Sequence, residues 1–219
     1  MSREMVLGLA LGMSTEPTGL VVVESTRSAR GVLSCAVRYL KQYPLGTPYA
    51  EIAANVGDIV RQGGLGSVPL VVDITAVGPQ VFPLLRAAVQ PAWLVPLLIT
   101  AGGVAAKDET QTWRVPKRDL VTTVQLLLQG ERFKVAPVPE ADLLLQELRT
   151  FRAHAPTAST NPDALDWRTQ PGDALVFATA LACWWSQHHR PYYPGAFQSE
   201  TGSELWQMLE RVFPTNPRP

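Results

Sequence analysis

The sequence predicts an α/β fold: a mixed β-sheet flanked by helices on both faces. Three observations carry this expectation. Two short apolar strands near the start, at 5–11 and 19–24, are separated by a polar turn and read as a hairpin. Residues 68–74, Val-Pro-Leu-Val-Val-Asp-Ile, form a continuously apolar strand of the kind buried on both faces of a sheet. After that strand, segments with helical and strand periodicity alternate, as in sheets covered by helices. At 219 residues the chain is long enough for one such domain with a core of its own.

The elements follow in order. Pro17 interrupts the ladder between the first two strands and marks their turn. Residues 32–43 supply a third strand. Thr47-Pro48 reads as an N-cap with proline at the first helical position, and Ile52, Ala53, Val56, Ile59 and Val60 recur at helical spacing up to Gly63. The chain therefore opens β-β-β-α before the apolar strand ending at Asp73. A helix over 81–89 and a strand over 93–100 come next. Residues 102–112, rich in Gly, Ala and charge, read as a flexible loop. A helix is expected from Val115-Pro116, with Leu120, Val121, Val124, Leu127 and Leu128 as its buried stripe and Gly130 as its end. An edge strand at 132–135, an amphipathic helix at 140–151, a loop at 154–162 and a further edge strand at 164–168 follow. The apolar helix 175–185 closes a domain spanning 1–187. Residues 188–219 read as a Pro- and aromatic-rich linker with a last helix at 204–213, whose Leu205, Trp206, Leu209 and Phe213 offer an apolar face to the domain or to a protein partner.

Composition narrows the functional classes. The 19 basic and 19 acidic residues balance, so the chain as a whole attracts neither nucleic acid nor anionic lipid, and any such partner must meet a local patch. Mean hydropathy is near zero, +0.04, and no apolar run reaches the roughly 20 residues of a membrane span. No signal peptide is recognisable, and a cytoplasmic protein is expected. Cys35 and Cys183 share no metal-ligand spacing with each other or with His154, His188 and His189, which argues against zinc and for reduced thiols. No G-x-x-x-x-G-K loop followed by Ser or Thr occurs, so ATP binding is not expected.

Asp73 is the first candidate functional residue. A carboxylate at the carboxyl end of a central strand faces the crevice where open α/β sheets bind ligands. The alternative is an aspartate that caps the helix beginning near Pro79. Two-metal nucleases need carboxylates from distant elements converging on two divalent ions roughly 4 Å apart, and Asp173 is the late acid available. Lys107, Arg114, Lys117 and Arg118 border the flexible loop as candidate phosphate contacts, or as a solvated face. His188-His189 follows a helix end, where a dipole interaction accounts for the pair better than a metal does. Trp184 and Trp185 read as core.

Five blocks occur in an order that resembles the nuclease domain of phage large terminase subunits. They are Val72 to Gly78, Leu98 to Gly103, Val115 to Val121, Leu143 to Phe151 with Glu147-Leu148, and Gly172 to Ala182. The resemblance spans roughly residues 5–186. It implies a ribonuclease H-like fold and cleavage of viral DNA with Mg2+ or Mn2+ during packaging. It also implies which acids matter, and here the chain departs from the family. The first strand of that family ends on an acid within G-x-D-x-G, and this chain has Gly8-Leu9-Ala10-Leu11-Gly12. The turn resembles an Asp-Pro-Thr segment, with Glu16-Pro17-Thr18 in its place. The last helix of the family opens on His-Asp-Asp-Leu, whereas this chain has Gly172-Asp173-Ala174-Leu175. The expectation is a degenerate acid set that binds DNA or a protein. The alternative is an active endonuclease using Asp73, Asp173 and either Glu16 or Glu24.

Overall fold

A computed structural model of the chain describes residues 2–13, 16–63, 65, 68–90, 92–151 and 173–189. Among these residues the chain runs β1 (Ser2–Ala10), β2 (Thr18–Arg27), β3 (Leu33–Tyr43), α1 (Tyr49–Gln62), β4 (Pro69–Asp73), α2 (Phe82–Val89), β5 (Trp93–Thr100), β6 (Ala106–Lys107), β7 (Trp113–Pro116), α3 (Lys117–Gln129), β8 (Phe133–Val135), α4 (Ala141–Thr150) and α5 (Ala174–His188). The strands form one mixed sheet in the order β6-β7-β5-β4-β1-β2-β3-β8. β1, β2 and β3 pair antiparallel, while β4 pairs parallel with β1 on one side and β5 on the other. The expected loop at 154–162, strand at 164–168 and C-terminal helix at 204–213 lie outside the described residues.

Strand alternation divides the core into two layers. Leu7 and Leu9 of β1 and Leu70 and Val72 of β4 face α1 and α2, whose Ile52, Val56, Val60, Leu85 and Val89 complete that layer. Val6 and Ala10 of β1, Val21 and Val23 of β2 and Val71 of β4 face the other way, against α5 and the helices α3 and α4 around it. Both faces of β4 are therefore buried, which is why it reads as an unbroken apolar run. α5 is apolar all round because it lies between the sheet and other helices, with Trp184 and Trp185 buried. It comes so close to the sheet that a Cβ on Gly8 would lie 1.9 Å from the Ala178 carbonyl oxygen, and one on Gly19 would lie 2.5 Å from that of Ala174.

Four local expectations are corrected. α1 begins at Tyr49 with Pro48 at its cap position, and the Thr47 hydroxyl instead donates to the Pro44 carbonyl at 2.7 Å. Residues 113–116 are a strand, not a first helical turn, and α3 starts at Lys117. The preceding loop is partly ordered by β6, which pairs with β7, and by Asp108, whose carboxylate accepts the backbone N–H groups of Thr110 and Thr112. On α3 the buried residues are Leu120, Thr123, Val124 and Leu127, while Leu128 is exposed and Val121 is half-buried. The edge strand β8 and the strand β5 stand where the sequence places them. No helix among the described residues is long and apolar enough to cross a membrane.

Candidate active site

Asp73 closes β4 two residues after Val71, so it faces the α5 side of the sheet at the strand's carboxyl end. Strand register sets its neighbours. Asp73 pairs with Ala10, Ala10 with Gly19 and Gly19 with Gln42, which makes one row across four strands about 4.8 Å apart. The Asp73 carboxylate is held locally. Its Oδ1 accepts the Thr75 N–H at 2.9 Å and the Thr75 hydroxyl, and Thr75 Oγ1 in turn accepts the Ile99 N–H at 2.7 Å. These bonds bend the chain back onto β5, and they show that Asp73 does not cap the following helical turn, which Gly78 precedes without a side-chain cap. Burial pushes the Asp73 carboxyl up to about 6, Glu16 pushes in the same direction, and the Thr75 bonds oppose both.

Glu16 reaches this neighbourhood through the β1–β2 turn. Gly12 makes that turn possible, because a Cβ there would lie 2.1 Å from the Glu16 carbonyl oxygen. The Gly12 N–H donates to Thr18 Oγ1 at 3.0 Å, and its carbonyl accepts the Tyr49 hydroxyl at 2.7 Å. Glu24 is elsewhere. It pairs with Met5, five residues along β2 from Gly19 and so about 17 Å away. There it is buried, bound to Arg38 at 2.6 Å and facing Arg3 at 3.6 Å, and it serves the sheet rather than the strand ends.

Asp173 occupies the N-cap position of α5 yet makes no side-chain cap hydrogen bond. Its charge acts on Lys117 and on Glu147. Lys117, the first residue of α3, lies with its Nζ 5.3 Å from the centre of the Phe177 ring. Burial lowers the pKa of its ammonium and Asp173 opposes that shift. Glu147 was visible in the sequence only as part of a block of resemblance, yet it is a buried acid at the start of α5. Its Oε2 accepts the N–H groups of Leu175 and Val176 at 2.9 and 3.0 Å, and its Oε1 accepts Gln42 Nε2 at 3.0 Å. Burial raises its carboxyl to about 7 against those bonds, with Asp173 adding to the rise. Its position three residues after Leu144, on the buried stripe of α4, is the signal that marks it.

The basic candidates separate. Lys107 lies over the Trp113 ring, 5.5 Å from its centre, and Arg114 pairs with Asp108 at 3.3 Å, both on the β6–β7 hairpin. Arg118 bonds the Gly103 carbonyl at 3.0 Å and Asp119 at 3.3 Å. Lys117 alone of the four is placed beside a candidate acid. His188 bonds the Trp184 carbonyl at 2.9 Å and stacks on its ring, in keeping with a helix-end role, and both cysteines are buried free thiols.

No protein-family model matches the chain, and no curated protein does. Solved structures do. The large terminase nuclease of thermophilic phage G20c superposes with a TM-score of 0.56 at 21% identity, covering 86% of this chain and 84% of that one. The human cytomegalovirus terminase nuclease domain, soaked with Mn, gives 0.51 at 12% over 82% of each chain. The large-terminase nuclease domain of bacteriophage SPP1, with bound Mn, gives 0.51 at 12% over 82% of this chain and 84% of that one. The fold is the ribonuclease H-like fold of terminase nuclease domains. Ala10 lies in register with Asp73, and Ala174 is the first residue of α5.

That acid set is a poor fit to a pair of divalent ions. Among the described residues no three His, Cys, Asp or Glu side chains gather closely enough to hold a metal. Ala10, beside Asp73 in register, offers only a methyl group, which can neither ligate a cation nor orient a water.

Proposed function

We propose that this chain is a terminase-nuclease-like protein with a degenerate acid set, acting by binding DNA across the cleft at the carboxyl ends of β1 and β4. The observation that supports this most is Ala10. It is the in-register neighbour of Asp73, at the place where the resemblance calls for the first-strand acid. Two-metal cleavage stabilises the attacking and leaving oxygens with two ions, and that requires several converging carboxylates. Binding requires only cations and shape. Lys117 at the cleft, Arg118 next to it, and Lys107 and Arg114 on the adjoining hairpin supply the phosphate contacts. In this reading the protein needs no metal and no ATP, acts in the cytoplasm, and uses the segment 204–213 for a protein partner. The phage resemblance points to DNA packaging as its setting.

Glu16 favours a second reading. An acid close enough to raise the Asp73 carboxyl is a substitute for the one absent at position 10. With Asp73 and Asp173 it would hold Mg2+ or Mn2+ in an active DNA endonuclease. Supercoiled plasmid incubated with each metal, beside the Asp73→Ala variant and with DNA binding followed by fluorescence anisotropy, separates the two. Binding without nicking is expected. Metal-dependent nicking that Asp73→Ala abolishes would overturn the binding reading in favour of the second.

A further inference from the structure

An aspartate at a helix N-cap ordinarily takes an extended backbone conformation and accepts the N–H of the second or third helical residue. Asp173 does neither. Its φ and ψ are −99° and 16°, outside the extended region, and its side chain makes no cap hydrogen bond. The two N–H groups it would serve, those of Leu175 and Val176, go to one oxygen of Glu147 on α4. Gln42, at the end of the row that begins at Asp73, fixes the other Glu147 oxygen. Gly19 in the same row leaves the space that the Ala174 carbonyl occupies. Three elements, α4, β3 and β2, thus converge on the first turn of α5, and its Leu175 and Val176 N–H groups are capped by Glu147 and not by the Asp173 side chain.

We propose that Glu147 is a positioning residue that caps α5 in place of Asp173, and so leaves the Asp173 carboxylate to face Lys117 in the cleft. A negative side chain from another helix satisfies the free N–H groups and the positive end of the helix dipole as well as a local cap does. The consequence is a division of labour between two acids. Glu147 carries the structural duty, and Asp173 keeps a side chain that can respond to what enters the cleft. The assignment goes beyond the DNA-binding reading and holds whether the cleft binds or cuts.

A double-mutant cycle with an NMR readout tests it, using the full chain at pH 8, above the value of about 7 to which burial raises Glu147. In wild type, Asp173→Ala should leave the unfolding constant nearly unchanged, because no cap is lost. In a Glu147→Ala background the freed Asp173 falls back onto the helix end, so the same Asp173→Ala change should raise the unfolding constant about fivefold, the worth of one cap. The Lys117 amine, followed by heteronuclear NMR, should titrate lower in Glu147→Ala than in wild type, since Asp173 has turned away from it. If Glu147→Ala does not fold, Glu147→Gln takes its place in both measurements. Equal effects of Asp173→Ala in the two backgrounds would overturn the proposal, as would an unchanged Lys117 titration.

Discussion

Replacing Asp73 with asparagine should stabilise the protein, and the gain should depend on pH in a specified direction. The Asp73 carboxyl titrates near 6 in the fold against 3.8 for a free aspartate, chiefly because it is buried. The folded state therefore holds its proton over a range in which the unfolded chain has released it, and stability falls as pH rises from about 4 to about 6. A shift of roughly two pKa units is worth up to about 3 kcal/mol, lost in full above the folded value. Asparagine keeps the shape and the acceptor for Thr75 but has no charge to bury. At pH 8 Asp73→Asn should gain most of that amount, a Tm rise of up to about 10 °C for a domain of this size. At pH 3, where both states of the wild type are largely protonated, the gain should nearly vanish. Thermal and urea unfolding followed by the fluorescence of the buried Trp184 and Trp185 reports it. A variant no more stable than wild type at pH 8, or equally stabilised at both pH values, would refute the account of Asp73 as an acid whose carboxyl is raised by burial.

Other outcomes follow from the same contacts. Gly8→Ala places a methyl group 1.9 Å from the Ala178 carbonyl oxygen, and should destabilise by at least the 1–3 kcal/mol typical of overpacking, read as a lower urea midpoint. Glu4 and Glu147, each raised to about 7 mainly by burial, should add to the loss of stability as pH rises from about 4.5 to 7, and Glu147→Gln should flatten that slope in a series of melts. Lys117→Ala and Arg118→Ala should each weaken DNA binding without regard to sequence and reduce the dependence of log affinity on log salt by about one, measured by anisotropy across a salt series. Ala10→Asp combined with Ala174→Asp should melt below wild type in chelator and gain more than wild type from manganese, and an equal manganese response in both proteins would show that Ala10 is not a vacated ligand position.

Much of this architecture was legible because burial writes itself into the sequence. β4, buried on both faces, is an unbroken apolar run, and Asp73 stands out as the polar residue that ends it. α5 is legible for the same reason, whereas β5 shows as an apolar run although only its alternate residues Val95, Leu97 and Ile99 are fully buried. Short elements are not. β7 has four residues, and its Pro116 ends a strand and precedes a helix at once, so the proline could not reveal on which side of it the helix begins. The α3 stripe was drawn too wide because that helix packs mainly on α5, leaving Leu126 and Leu128 in solvent. Glu24 was a candidate because an acid on a strand does not announce how far along it lies, and only the register with Met5 removes it from the site. Glu147 went unassigned because its partners are backbone N–H groups 28 residues onward, which no side-chain pattern encodes.

The alanine at position 10 and the raised Asp73 carboxyl are two sides of one balance. A carboxylate at position 10 would stand on the strand next to Asp73, about 5 Å away. At an effective dielectric near 20, two such charges repel by about 3 kcal/mol. That repulsion would come on top of the cost of burying Asp73, and together they approach the whole stability of an ordinary domain, 5–15 kcal/mol. A sheet carrying both acids would relieve that repulsion by binding a cation or keeping a proton, while a sheet carrying alanine is spared it. Glu16, half-buried on the β1–β2 turn, adds to that repulsion by pushing the Asp73 carboxyl in the same direction as burial does. The close contacts that seat α5 against β1 and β2 at Gly8 and Gly19 are the same in either case. What changes with residue 10 is how much like charge the strand ends must hold beside Asp73, and alanine removes that repulsion.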